Sequence, residues 1–149
     1  MTARDRLRQN AQQIVTTCAC SQVRKAARAI TQLYDDCLQP SGLRITQFYL
    51  LLNIYIADAP TVTGLAQALQ FDQTTMTRNL KLLERQGMIE MTAGVDRRTR
   101  IVSLTPKGNE AIAQAIPLWQ QAQAQVTAEF GADAWQLLQT IVQRTPSLN

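Results

Sequence analysis

One segment near the middle of the chain constrains the fold more than any other: TVTGLAQALQFDQTTMTRNLKLLERQGMIE, residues 61–90. It begins with Thr61 and Thr63, either of which can cap a short helix, because a threonine hydroxyl accepts a hydrogen bond from a free N–H of the first turn. A turn at Gln70–Phe71 follows, and Asp72 stands where a second helix needs its own cap. The segment therefore predicts two helices joined by a tight turn.

The second of these helices is amphipathic. Its apolar side chains Met76, Leu80 and Leu83 recur at i, i+4 and i+7, which places them on one face. Gly87 provides a stop, since glycine readily adopts the left-handed conformation that ends helices. A short helix, a tight turn and a longer amphipathic helix form the signature of a helix-turn-helix.

A β-hairpin is predicted immediately afterwards. Met88–Thr92 and Arg100–Leu104 have strand-like patterns, and a polar tip at Gly94–Arg98 separates them. A hairpin directly after the second helix of such a motif makes a winged helix. The predicted fold class is therefore mainly α with a small β-hairpin wing.

Further helices are predicted before the motif. Apolar positions recur at helical spacing from Ile14 to Leu38, and QPSG at 39–42 ends that helix, because proline and glycine stop propagation. The sequence FYLLLNIYI is apolar nearly all round, which predicts a helix at about 46–57 that is buried on every side.

Helices are also predicted after the hairpin. Thr105 can cap a long helix with Pro106 at its first position, and the apolar stripe of that helix extends to Phe130. We expect a kink at Pro117, because proline removes a backbone hydrogen bond, and a final helix over 132–144.

Composition and charge narrow the functional class. Hydrophobic residues make up 46% of the 149 residues and charged residues 17%, which suffices for a core and argues against disorder. No apolar run approaches the ~20 residues that cross a bilayer, and the polar N-terminus lacks a signal peptide's apolar region, so we expect a cytoplasmic protein without membrane partners. The net charge of +4 is concentrated in residues 1–30 and 60–108, which suits a polyanion such as DNA.

The second helix of the motif carries the candidate DNA-reading residues. Its solvent face offers short hydrogen-bonding side chains and long cations, which suit base edges and phosphates in a major groove. The candidates are Gln73, Thr74, Thr75, Thr77, Arg78 and Lys81, with Arg85 as a further phosphate contact.

The wing tip DRRTR supplies a second candidate set, Asp96, Arg97 and Arg98. A hairpin tip that bears arginines can enter a minor groove, where the negative potential attracts guanidinium groups. We expect the Asp96 carboxylate to orient a neighbouring arginine through bidentate hydrogen bonds.

Three segments together resemble the MarR (multiple-antibiotic-resistance regulator) family of bacterial transcription factors: LRITQFYLLLNI, the motif at 61–90, and DRRTRIVSLTPKGNEAI. The resemblance spans about Ile14 to Phe130. It implies a homodimer with interlocked terminal helices, whose winged helices read a palindromic operator in double-stranded DNA. It also implies a repressor that a small ligand or an oxidant releases, and it assigns Asp96 and Arg98 to the family's aspartate-any-arginine pattern.

The apolar residues fit such a dimer independently. The stripe from Ile112 to Phe130 and the helix of Trp135 exceed what one winged helix can cover, and a monomer would leave them exposed. We interpret residues 1–149 as a single winged-helix domain. Within it, 46–104 form the DNA-binding winged helix, and 10–38 and 105–146 form the dimerisation helices.

Cys18 and Cys20 stand two residues apart in a chain with no histidine. In one regular helix, residues i and i+2 point about 200° apart. This pair then can neither chelate one ion nor form a disulfide, and we predict no metal site. Packing as small, partly apolar residues at the dimer interface is one interpretation.

A redox sensor is the other interpretation, and it comes from the resemblance. The organic-hydroperoxide-sensing branch of the family (OhrR) keeps its reactive cysteine at the position of Cys20 and a tyrosine of the partner subunit at that of Tyr34; Cys18 is the secondary candidate. Ile45 and Arg24 replace two aromatic residues of that branch. Arg24 lies one helical turn from Cys20 and can favour a thiolate electrostatically.

A small aromatic effector is the alternative trigger that the resemblance implies. The residues expected to line its crevice are Arg28, Tyr34, Phe48 and Tyr49. Two other functional classes stay open: a thiol peroxidase with Cys20 as nucleophile, and a winged helix that binds proteins only. The first lacks a histidine base, and we expect neither enzymatic activity nor a cofactor.

Overall fold

The structure is a computed structural model that describes residues 2–96 and 98–145, and the chain divides into two units, residues 1–33 and 34–149. In the first unit, helix α1 spans Ala3–Thr17. Thr2 caps it: the Thr2 hydroxyl accepts from the Asp5 N–H (3.2 Å), and the Asp5 carboxylate accepts from the Thr2 N–H (2.8 Å). No residue of α1 is buried within the chain.

The chain breaks at Cys18, which corrects the prediction of one continuous helix from Ile14 to Leu38. Cys18 has extended dihedrals (φ −64°, ψ 110°), and helix α2 begins after it and spans Ala19–Leu38. The Thr17 hydroxyl donates to a backbone carbonyl one turn back at 2.8 Å, and the Gln22 amide donates to the Thr16 carbonyl at 3.2 Å. The Gln22 amide thus occupies the Thr16 carbonyl, which the Cys20 N–H would take in a continuous helix.

The second unit contains the end of α2, a short 3₁₀ turn at Gln39–Ser41 and the remaining elements. Gly42 follows the turn with φ 73°, so the predicted stop at 39–42 is confirmed. Helix α3 spans Ile45–Ala57. It is buried on one face only, through Phe48, Leu50, Leu51 and Ile54, whereas Tyr49, Tyr55 and Ile56 are exposed. The prediction that α3 is buried on every side was therefore wrong for the isolated chain.

The helix-turn-helix forms as predicted. Helix α4 spans Val62–Ala68 and helix α5 spans Gln73–Arg85. Thr61, not Thr63, caps α4, and its hydroxyl accepts from the Gly64 N–H at 3.0 Å. The turn between the helices includes Gln70, whose φ is 53°.

The hairpin also forms, with β1 at Ile89–Ala93 and β2 at Arg100–Leu104. The strands are antiparallel, and Ile89 pairs with Leu104 and Ala93 with Arg100. An isolated bridge joins Thr61 to Ile101, so the start of α4 lies against the wing. Beside this bridge, the Val102 N–H donates to the Pro60 carbonyl at 2.9 Å.

Helix α6 spans Pro106–Arg144, with the predicted Thr105 cap. Its dihedrals become non-helical at Gly131 (φ 74°, ψ 177°), which separates the two predicted C-terminal helices. In the described part of α6, the backbone stays helical through Pro117, so the interruption lies at Gly131 and not at the proline.

The core of the second unit lies where these elements meet. Its buried side chains come from α2, α3, α4, α5 and the hairpin, with Ala111, Ile112 and Ala115 contributed by α6. The fold class is confirmed as mainly α with a two-stranded wing. No helix among the described residues is both long and apolar enough to span a membrane.

Candidate nucleic-acid interface

A shallow surface groove of about 460 Å³ runs along α5. Its lining residues are Gln73, Thr74, Thr77, Arg78, Lys81 and Arg85. Their spacing of three to four residues repeats along one helical face, opposite the face that packs in the core. The structure thus brings six of the seven predicted residues of this helix onto one polar and basic surface, which we call the α5 groove.

The buried face of α5 holds the groove in place. Met76, Leu80 and Leu83 are all 0% exposed, as their spacing predicted. Truncating such a side chain typically costs 2–5 kcal/mol. The polar face of α5 is therefore fixed by the core beneath it.

Asp72 and Thr75 form the cap of α5. The Asp72 carboxylate accepts from the Thr75 N–H at 2.8 Å and from the Thr75 hydroxyl at 2.6 Å. These hydrogen bonds, the hydroxyl one foremost, lower the pKa of Asp72 because they favour its charged form. Thr75 does not line the α5 groove. The sequence interpretation placed Thr75 among the base-reading residues and missed this capping role.

At the wing tip, Asp96 organises the backbone of the turn. Its carboxylate accepts from the Arg98 backbone N–H at 3.0 Å, and its carbonyl accepts from the Thr99 N–H at 2.8 Å. Among the described residues, Asp96 forms no ion pair with the Arg98 guanidinium. For Arg98 the contact is a turn cap and not the expected bidentate pairing, since an aspartate readily bonds a backbone N–H two residues on. Arg98 is exposed, and Arg97 lies outside the described residues.

Sequence reasoning missed a set of contacts at the other end of α5. In the sequence, Lys107 is only one of the cations of the basic zone 60–108, whereas in the structure its ammonium donates to the Gln86 carbonyl at 2.7 Å. The Thr105 hydroxyl donates to the Gly87 carbonyl at 2.7 Å. Pairs separated by 18 and 21 residues leave no periodic signal in the sequence.

The three cysteines are free, and they differ in exposure. Cys20 is exposed, and Cys18 and Cys37 are half-buried. Because Cys18 is the C-cap of α1 and Cys20 is in α2, they do not share one regular helix, and the geometric premise used against chelation was wrong. Independently, no group of three or more potential histidine, cysteine or carboxylate ligands occurs in the described part of the chain.

Tyr34 is buried, and its hydroxyl donates to the Gln123 side-chain oxygen at 2.5 Å. Burial, and secondarily the nearby Cys37, raises the pKa of Tyr34 above its ordinary value. The bond ties the end of α2 to α6 within the second unit.

The residues expected to line an effector crevice have different environments. Phe48 is 2% exposed in the core, whereas its neighbour Tyr49 is 55% exposed. Arg28 belongs to the first unit, where its guanidinium Nε donates to the Arg24 carbonyl at 3.3 Å. A crevice built from these residues and Tyr34 stays a prediction.

Comparison with known proteins supplies relatives of this fold and surface. A MarR-family sequence profile matches residues 41–99. The chain is similar to the uncharacterized HTH-type transcriptional regulator YwoH of Bacillus subtilis (strain 168), at 28% identity over 60% of this chain and 65% of that protein. The matched region thus spans slightly less than two thirds of YwoH.

Solved structures extend the similarity over most of the chain. The M. tuberculosis transcriptional regulator MosR in complex with DNA has a TM-score of 0.79 at 38% identity, covering 89% of this chain and 98% of that one. A mutant E. coli MarR complexed with operator DNA has a TM-score of 0.80 at 23% identity, covering 89% and 96%. The latter likeness is one of fold.

Proposed function

Because this chain belongs to the MarR family of transcriptional regulators, we propose that it binds a palindromic operator in double-stranded DNA as a homodimer and represses transcription. The α5 groove is the single observation that carries the proposal. The role implies a cytoplasmic protein that acts through binding and not through catalysis. MosR, a 38% identical protein solved in complex with DNA, supports DNA binding by this chain.

In this proposal the α5 groove enters the major groove. Gln73, Thr74 and Thr77 are short enough to hydrogen-bond base edges, and Arg78, Lys81 and Arg85 reach phosphates or guanine. The wing's Arg98, exposed beside the capped turn of Asp96, enters the flanking minor groove. Base contacts then specify the sequence, and phosphate contacts supply much of the affinity.

The apolar surface of α6 supports dimerisation. Trp119, Phe130, Trp135 and Leu138 remain 36–55% exposed in the single chain. Several large apolar side chains exposed along one helix are typical of an interaction site, and a second copy of the chain would cover them. Two-fold symmetry would also set the two α5 helices at half-sites about 34 Å apart.

Binding by wild-type protein to a duplex from the region upstream of its own gene tests the proposal. We expect binding that weakens steeply with salt, and footprinting should show two protected half-sites one helical turn apart. If no duplex, including that upstream region, binds in a salt-dependent way, the DNA-binding role is wrong. The winged helix is then better interpreted as a protein-interaction module.

Arg98→Ala tests the wing. We expect affinity for the same duplex to fall about tenfold, which corresponds to ~1.4 kcal/mol, with an unchanged dimer. The exposed Arg44, which lies outside both basic zones, offers a control with the same charge change, Arg44→Ala, which should bind as wild type does. Unaltered affinity of Arg98→Ala in an intact dimer would remove the wing from the interface.

Release from the operator has two candidate triggers, a small aromatic ligand and thiol oxidation. Cys20 is exposed and lies one turn from Arg24, which supports oxidation because access and a nearby cation both favour a reactive thiolate. tert-Butyl hydroperoxide should then release wild-type protein and Cys18→Ser but not Cys20→Ser. Equal release of all three proteins would exclude Cys20 as the sensor, and release by an aromatic carboxylate alone would favour the ligand.

A further inference from the structure

The end of the recognition helix α5 is tied to the start of α6 by three successive hydrogen bonds. The carbonyls of Gln86, Gly87 and Met88, which directly follow α5, each have a partner in 105–107. Lys107 Nζ donates to Gln86 (2.7 Å), Thr105 Oγ1 donates to Gly87 (2.7 Å), and the Thr105 backbone N–H donates to Met88 (3.1 Å). We call these three bonds the α5–α6 clasp.

Glycines allow the clasp to form. Gly87 turns the chain with φ 74°, a conformation that other residues adopt at a cost. Gly108 packs directly on the Met88 carbonyl, where a Cβ would come closer than 3.0 Å. The Lys107 stem lies over Gly87, at 3.9 Å from the position a Cβ would take there. A side chain at position 87 would therefore contact the Lys107 stem, and glycine leaves that space open.

The chemistry of Lys107 suits the end of a helix. The last carbonyls of a helix lack intrahelical partners and carry partial negative charge. An ammonium placed there both satisfies an acceptor and interacts favourably with the helix dipole. The donor that performs this task for α5 comes from α6, the helix that bears the exposed apolar surface.

A small change in the angle of α5 at its C-terminal end produces a larger displacement at its N-terminal end. Gln73 and Arg85 are twelve residues apart, about 18 Å along the helix. Over that length, a tilt of α5 by about 10° around the clasp would move Gln73 by about 3 Å. This displacement is as large as the length of a hydrogen bond. Base contacts would be lost first, since nonspecific phosphate attraction tolerates such displacement.

From these contacts we propose that Lys107 is a positioning residue for operator recognition. It sets the angle of α5 relative to α6 without touching DNA, and through it the position of α6 in the dimer is transmitted to the α5 groove. The inference rests on the proposed DNA-binding function. It differs from a phosphate contact, which is the alternative role for an exposed lysine next to a DNA-binding surface.

Lys107→Met tests this proposal, because methionine keeps most of the stem and removes the ammonium. Full-length wild type and variant are titrated by fluorescence anisotropy at several KCl concentrations. One probe is a duplex that wild type selects from a random-sequence library, and the other is a mixed-sequence duplex without the selected site. Lys107→Arg retains a donor, and Lys81→Met removes a cation from the α5 groove itself.

We expect Lys107→Met to bind the selected duplex about tenfold more weakly, with affinity for the mixed duplex and the slope of log K against log [KCl] unchanged. Lys107→Arg should recover most of the loss. Lys81→Met should weaken both duplexes and reduce the slope by about 1, as loss of a phosphate contact does.

Three results would overturn the positioning role. The first is that Lys107→Met binds the selected duplex as tightly as wild type, and the second is that it weakens both duplexes and reduces the salt slope as Lys81→Met does. The third is that Lys107→Arg fails to recover binding although Lys107→Met unfolds at the wild-type temperature. Failure of the wild-type protein to bind any duplex is a separate outcome, which refutes the proposed function itself.

Discussion

Replacing Gly108 with alanine tests how closely the start of α6 must approach the end of α5. The added Cβ would lie closer than 3.0 Å to the Met88 carbonyl oxygen and 3.1 Å from a Leu104 methyl carbon, whereas ordinary contact begins at 3.4 Å. The Met88 oxygen is a backbone atom that also accepts from the Thr105 N–H at 3.1 Å. It cannot rotate away as a flexible side chain could, so the alanine must push the two segments apart.

Three terms set the size of the effect. Overpacking costs about 1–3 kcal/mol, and loss of the Thr105–Met88 hydrogen bond costs about 1 kcal/mol. Alanine recovers about 1 kcal/mol, because glycine within a helix is entropically unfavourable. The net loss is about 2 kcal/mol, which corresponds to a fall in Tm of roughly 4–8 °C for a chain of this size.

Gly64→Ala is a matched control. Gly64 and Gly108 are each the third residue of a helix capped by threonine, and their N–H groups donate to the cap hydroxyl at 3.0 Å and 3.1 Å. An alanine at Gly64 would meet a single side-chain atom, the Thr61 hydroxyl oxygen at 3.0 Å, and no backbone atom. We therefore expect Gly64→Ala to be as stable as wild type or up to about 1 kcal/mol more stable.

Thermal unfolding followed by far-UV circular dichroism measures both variants. Protein concentration is held constant, because the Tm of a dimer depends on it. If the two variants shift Tm equally, or if Gly108→Ala is as stable as wild type, close backbone approach at Met88 does not matter and the reasoning is refuted.

Two further predictions concern the cap of α5 and the Tyr34 bond. Asp72→Asn should be less stable than wild type at neutral pH. The pKa of Asp72 is depressed in the folded state, so its charge stabilises the fold at pH values above the ordinary pKa of 3.8. That stabilisation is lost as the pH falls through the lower pKa of the folded state. A stability difference between the two proteins that is unchanged from pH 7 to pH 2 in urea titrations would contradict this. Tyr34→Phe should cost about 1 kcal/mol, because it leaves the Gln123 oxygen without its donor. The exposed Tyr55→Phe is the control, and equal urea midpoints for the two variants would exclude a structural role for the Tyr34 hydroxyl.

Local chemistry in the sequence was sufficient to predict the helix-turn-helix and the wing. Asp72 and Thr105 each cap the helix that follows, and Gly87 ends α5, because these roles depend only on a residue and its next few neighbours. For α4 the sequence offered Thr61 and Thr63, and the structure selects Thr61. The spacing of apolar residues in α5 likewise fixed which side faces the core, and hence which side forms the α5 groove.

The periodicity of apolar residues did not show where side chains compete with the backbone for hydrogen bonds. The apolar pattern from Ile14 to Leu38 continues across Cys18, but the Gln22 amide takes the Thr16 carbonyl there and the helix breaks at Cys18. At the wing, the sequence places both an arginine guanidinium and a backbone N–H close enough to Asp96 to donate to its carboxylate. The turn geometry decides for the N–H of Arg98.

The sequence by itself determined the helix-turn-helix, the caps at Asp72 and Thr105 and the polar face of α5, since each follows from contacts within about one helical turn. Only the tertiary structure decided that α3 exposes Tyr49 and Tyr55, and that Lys107 caps α5 from 21 residues beyond its partner Gln86. Burial and such distant pairings depend on how whole elements pack against one another. That packing is a property of the complete fold, and no local pattern records it.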